Sequence, residues 1–168
     1  MATGVQSAWS VTAGSNGSAD SAINFAEGQT PASLNNSSRA AMAGVKGFAN
    51  QMLGAKTTGG SANAQTYTSD AVATISAYAA GVGLVFKAGY SNSGACTLDV
   101  DGVGAKSIKK GGAQAALAAN DIVAGGVYFV VAQPGERADH GAAPRRDPHR
   151  SRCSFVHIRH ASPDHDGG

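Results

Sequence analysis

A length of 168 residues allows one ordinary domain plus appendages. Charged residues supply only 14% of the chain and aromatics 6%, against 23 glycines; so few large side chains fill a solitary core poorly, and association with further copies of the chain is expected. No run approaches the ~18 to 20 apolar residues of a membrane span, and MATGVQSAWS lacks a basic region followed by an apolar run; no membrane insertion and synthesis in the cytoplasm are therefore expected.

Residues 1–30 are rich in Ser, Ala, Gly and Asn, with isolated apolar residues at Val5, Trp9, Val11, Ile23 and Phe25. They read as an extended N-terminal arm that docks through single anchors. The period changes at residue 31. Over 31–54, Leu34, Met42, Val45, Phe48 and Met52 fall near one face of a helix. Thr30 is placed to cap it, with Pro31 at the first helical position, where its fixed φ and missing N–H cost nothing. Gly44 and Gly47 each weaken an isolated helix by about 1 kcal/mol relative to Ala. Such a helix needs partners, either the rest of the chain or neighbouring copies.

From 60 to 133 the pattern is one of short strands punctuated by Gly and Asn, predicted at 64–68, 71–78, 83–88, 95–100, 107–109 and 126–131. Ser91-Asn92-Ser93-Gly94 reads as a turn between two of them. A small antiparallel β-domain follows, so the predicted class is mainly β with an arm and one helix, an α+β chain.

The composition breaks near residue 134. Every histidine, every proline but Pro31 and every arginine but Arg39 lies beyond Gln133. Periodicity stops there too. Residues 134–168 form an Arg/His/Pro-rich tail with two readings: a disordered segment of low hydrophobicity, or the product of a shifted reading frame, since GC-rich coding sequence read out of frame yields Arg, Pro, His and Ala.

Several residues carry a family likeness. Trp9-Ser10, Ala19-Asp20, Ile23-Asn24-Phe25-Ala26-Glu27-Gly28, Pro31, Asn35 and Ser38-Arg39-Ala40 resemble the N-terminal region of phage and prophage tail fibre proteins. Here Phe25 stands where the family pattern has Trp, and Asn36 where it has Asp. Thr58-Gly59-Gly60, Leu84-Val85-Phe86, the run from Thr97 to Lys106, Asp121-Ile122 and Gly126-Val127-Tyr128 resemble the β-module of the same proteins. The likeness covers about residues 5 to 131. An aromatic and Asp-Gly turn that follows in the family is missing at the compositional break. The resemblance implies a structural virion protein rather than an enzyme, a homotrimer fastened to tail or baseplate proteins, with a β-domain directed at the host surface and its glycans. It implies a place in the virion tail after synthesis in a bacterial host.

Within that frame, Trp9 and Phe25 are the expected docking anchors, and Leu34, Met42, Val45, Phe48 and Met52 the expected helix interface. No catalytic, cofactor or metal residue is assigned. Gly102-Val103-Gly104-Ala105-Lys106-Ser107 lacks the ending of a phosphate loop and reads as a glycine turn. Asp99 and Asp101 could share a strand face and a cation, but Asp101-Gly102 is also a common turn pair. Cys153, His157 and His160, with His149 or His165, have zinc-like spacing without a framework to orient them. The arginines of the tail have interspersed acids and no stacking platform, which argues against nucleic acid. Cys96 and Cys153 read as two free thiols. Two alternatives stay open: a tailspike-type glycan-depolymerising enzyme, whose paired acid and base would have to come from Asp20, Glu27, Asp70, Asp99, Asp101 and Asp121, and a glycan-binding module outside any virion.

Overall fold

The computed structural model describes residues 5–6, 8–111, 113–134 and the backbone of 153–158. The fold is α+β. After the arm, which includes a single 3-10 turn at Ala13–Asn16, one helix, α1 (Pro31–Met52), leads into the β-domain. Its strands are β1 (Gly59–Ser61), β2 (Ala64–Tyr67), β3 (Gly83–Lys87), β4 (Thr97–Val100), β5 (Lys106–Lys110), β6 (Ala115–Ala116), β7 (Val127–Pro134) and β8 (Cys153–Ile158).

The start of α1 follows from its sequence. Thr30 is extended, its side chain accepts a bond from Ser33 N, and Pro31 occupies the first turn. The helix ends at Leu53, whose N–H bonds Ala49 O, and Gly54 follows at φ +66, the left-handed conformation that a side chain would oppose.

The strands lie in the order β1-β2-β4-β5-β8-β7-β3, with β6 paired to β5. Lys87 N donates to Lys56 O and Thr58 N to Lys87 O, both at 2.9 Å, so the chain entering β1 also pairs with β3. The two ends of the strand order thereby meet and the sheet closes on itself, which removes free edges there. Gly89 makes this approach possible, because a Cβ at that position would lie 2.1 Å from Thr58 O. Tyr67, Leu84, Phe86, Leu98, Val100, Ile108 and Val130 alternate along their strands into one buried cluster.

Two expectations are corrected. The sheet is mixed and not purely antiparallel, since β2 runs parallel to β4, and β5 to β8; the long passage from Tyr67 to Thr97 is the crossover a parallel pair requires. The segment 71–78 is no strand. Ala71–Ala73 forms one 3-10 turn, and Ile75 N bonds the carboxylate of Asp101 instead of a neighbouring strand, while Ala73, Ile75 and Tyr78 still face the core. Within the tail, Cys153–Ile158 is the segment that forms β8. The rest of 135–168 lies outside the described residues.

Candidate docking surface

Polar and small residues bind α1 to the rest of the chain. Ser37, Gly44, Gly47 and Gln51 are its buried positions. Gln51 Nε2 donates to Ser69 Oγ at 2.9 Å and to Ala73 O, while its Oε1 accepts from Gln6 Nε2 at 2.9 Å. Gln6 in turn pairs with both backbone groups of Gly83 on β3. Arm, helix and sheet thus meet at one buried amide. At the other end of the helix, Ser37 Oγ donates to Asn24 O and accepts from Asn24 N, pinning the last stretch of the arm.

The glycines set the spacing. A Cβ at Gly47 would lie 2.7 Å from the Cβ of Ala73, and one at Gly44 would lie 3.0 Å from Cζ2 of Trp9. Their cost to the isolated helix is offset by close packing against the 3-10 turn at 71–73 and the arm.

The apolar face of α1 points elsewhere. Leu34, Met42 and Val45 are 49%, 73% and 53% exposed, and Phe48 and Met52 are half-buried. On the helix the exposed Leu34, Met42 and Val45 and the half-buried Phe48 and Met52 lie apart from the buried positions Ser37, Gly44, Gly47 and Gln51. Leu34, Ser38, Ala41, Val45, Phe48 and Met52 follow one another at alternating spacings of four and three, the repeat that keeps a seam in register between supercoiled helices. This stripe and the polar packing face are separated around the helix axis. Hydrophobic spacing revealed the first; the Gly-Gly-Gln run that forms the second carries no hydrophobic signal.

The two expected anchors part company. Trp9 is half-buried, lies over Gly44 and donates from Nε1 to Asp20 Oδ2 at 3.0 Å, so it fastens the arm to its own helix. Phe25 is exposed, with its N–H bonded to Gly17 O.

Five of the six carboxylates named above hold structural positions. Asp20 accepts from Trp9 and Ala22 N. Asp70 lies 2.8 Å from Lys56 Nζ and accepts from Asn50, and these hydrogen bonds hold its carboxyl below the usual value. Asp99 accepts from Gly104 N. Asp101 sits at φ 54 in the turn, its two oxygens taking Ser69 N and Ile75 N. Asp121 accepts from Ala118 N and Lys110. Glu27 is exposed. Asp99 and Asp101 do not share a strand face, because β4 ends at Val100. Gly102 and Gly104, both at positive φ, form the link from β4 to β5. Among the described residues no cluster of three or more His, Cys, Asp or Glu could hold a metal, and no helix is long and apolar enough to cross a membrane.

Cys96 is a free, buried thiol whose pKa burial raises. Cys153 and His157 lie on β8, where only the backbone is described, and His149, His160 and His165 lie outside the described residues. Comparison of the chain with protein-family profiles, curated proteins and solved structures finds no match.

Proposed function

We propose that the chain is a structural attachment protein, a segment of a phage tail fibre. In this reading α1 joins copies of the chain into a homotrimer, the arm offers Phe25 to a tail or baseplate protein, and the β-domain projects toward glycans of the host surface. The observation that supports it best is the division of labour on α1. The helix seats itself on its own domain through Ser37, Gly44, Gly47 and Gln51, leaving a stripe of heptad spacing that is exposed at Leu34, Ser38 and Val45 and half-buried at Ala41, Phe48 and Met52. A helix that needed only to cover its own sheet would bury its large apolar residues first.

Light scattering on the full chain tests the assembly, and a monomer at micromolar concentration would sink it. Incorporation into particles tests the virion role: Phe25→Ala is expected to leave a folded, assembled protein that no longer enters particles, and unchanged entry would remove the arm as docking element. Tail-assembly genes beside this one would support the virion reading, and sugar release from envelope polysaccharide would favour the depolymerase instead.

One observation favours a glycan-binding module as second reading. Tyr90 is exposed on a loop held by Asn92, which bonds the backbone of Ile122, Asn120, Gly94 and Ala118. An aromatic ring held on a rigid loop loses little freedom when a sugar stacks on it.

A further inference from the structure

Between β5 and β7 the sheet has room for one strand, and Cys153–Ile158 fills it. This strand pairs antiparallel with β7 from Phe129↔Ile158 to Pro134↔Cys153, and parallel with β5 from Ile108↔Phe155 to Lys110↔His157. Among the described residues no other pairing joins β5 to β7. The occupant of this slot therefore decides whether the sheet is closed, and an empty slot would leave the edges of β5 and β7 open to uncontrolled pairing.

Pro134 and Cys153 oppose each other in the ladder, yet residues 135 to 152 lie between them in the chain. Loops that fix a hairpin register have about 2 to 5 residues. The register of β8 is held by ladders on both of its sides. A connection of this length reaches roughly 60 Å when extended, far more than the return to its own slot needs. Where copies are already held side by side, a neighbour's strand is present at an effective concentration on the order of millimolar. Insertion into the neighbour then competes with insertion at home.

We propose that the β5/β7 slot is a strand-acceptor site, and that in the assembled protein it takes Cys153–Ile158 of a second copy, so that neighbouring β-domains are laced together by exchanged strands. This rests on the self-association proposed above. The slot fits an extended segment that runs antiparallel to β7 and parallel to β5, and every copy carries both the slot and the segment.

The register supplies the test. Opposed residues in an antiparallel pair lie about 4.5 to 5.5 Å apart at Cα, within the ~4.4 to 6.8 Å span of a disulfide. Pro134→Cys places a thiol opposite the native Cys153, and buried Cys96 does not compete. The full-length variant is oxidised with copper phenanthroline and run on a non-reducing gel, with light scattering on the same sample. Covalent oligomers that vanish when Cys153→Ser is added are the expected result. Gln133→Cys with Ser154→Cys on a Cys153→Ser background repeats the test at the next register pair. A disulfide confined to single chains, or none at either pair, overturns the exchange. An oligomer with only intrachain bonds leaves the helix seam standing and removes the exchange alone; a monomer with intrachain bonds removes both.

Discussion

The indole of Trp9 lies over Gly44, where an added Cβ would stand 3.0 Å from Cζ2 and 3.3 Å from Cη2 of the ring. Gly44→Ala therefore opposes two effects. It adds about 1 kcal/mol of helix propensity and pushes the ring off its seat. Because the obstacle is an aromatic on the arm and not the sheet, the helix should be as stable as before or more so, with the emission of Trp9, the single tryptophan, shifted to the red. Gly47→Ala differs, for its Cβ would meet the Cβ of Ala73 at 2.7 Å. Overpacking between two fixed elements is expected to cost about 1 to 3 kcal/mol in denaturant unfolding. Equal stability of the two variants would show that α1 is not seated by these glycines.

Tyr67 is 2% exposed and its hydroxyl has no hydrogen-bond partner among the described residues. Burial first, then the charges of Asp70 and Asp101, push its pKa up to about 12. The unfolded chain gives up this proton near pH 10, so the contribution of Tyr67 is intact below that value and is lost as pH rises toward 12. Two pKa units correspond to roughly 2 to 3 kcal/mol. Tyr67→Phe removes an unsatisfied polar group and should be neutral or stabilising by up to about 1 kcal/mol at pH 7. It should also flatten the alkaline loss of stability. Denaturant midpoints of both proteins between pH 8 and 11.5 decide this, and parallel curves would refute it.

Asp101 ties the turn after β4 to the segment that crosses the core. Its N–H donates to Tyr67 O, and its carboxylate takes Ser69 N at 2.7 Å and Ile75 N at 2.9 Å. Asp101→Ala strands both amides and puts a side chain with no local hydrogen bond at φ 54; the expected loss is about 2 to 4 kcal/mol. Asp101→Asn tolerates the same φ and keeps one acceptor, so it should fall between. Asp99→Ala loses a single bond to Gly104 N and should cost less than either. With these oxygens committed to amides, millimolar Ca²⁺ is expected to leave the thermal midpoint where it is. A rise of several degrees would restore the cation reading.

These residues also show which parts of the fold the chain discloses. The start of α1 is legible because Thr30 and Pro31 act locally, through a side-chain cap and a fixed φ. β3 and β4 are legible because Leu84, Phe86, Leu98 and Val100 alternate into one core. The segment 71–78 has similar apolar content but borrows Asp101 as a distant acceptor, a tertiary choice that no window of sequence contains. β1 has no buried residue at all and exists through pairing alone. On the candidate surface, the spacing of Leu34, Met42, Val45, Phe48 and Met52 was legible as a face. Its direction was not, because the opposing face is built of Ser37, Gly44, Gly47 and Gln51, whose value lies in small size and one amide. The separation of Trp9 from Phe25 was equally hidden, since the bond to Asp20 is a contact within the folded arm.

The seam on α1 offers the sharpest separation of assembly from folding. Val45 sits midway along the repeat of Leu34, Ser38, Ala41, Val45, Phe48 and Met52, and it is 53% exposed in the single chain. A carboxylate there is solvated in the monomer, so Val45→Asp should change monomer stability by no more than about 0.5 kcal/mol. Packed between copies, the same carboxylate would be desolvated without a partner, at a cost of several kcal/mol per charge. Val45→Asp is therefore expected to dissociate the oligomer while the monomer melts where the parent monomer does. Met42→Asp, one step off the repeat, should weaken association less. Light scattering across a concentration series gives the first quantity, and thermal unfolding at the dilute end gives the second. Association unchanged in Val45→Asp would remove the seam. Unfolding of the dilute monomer would show that Val45 belongs to the interior after all.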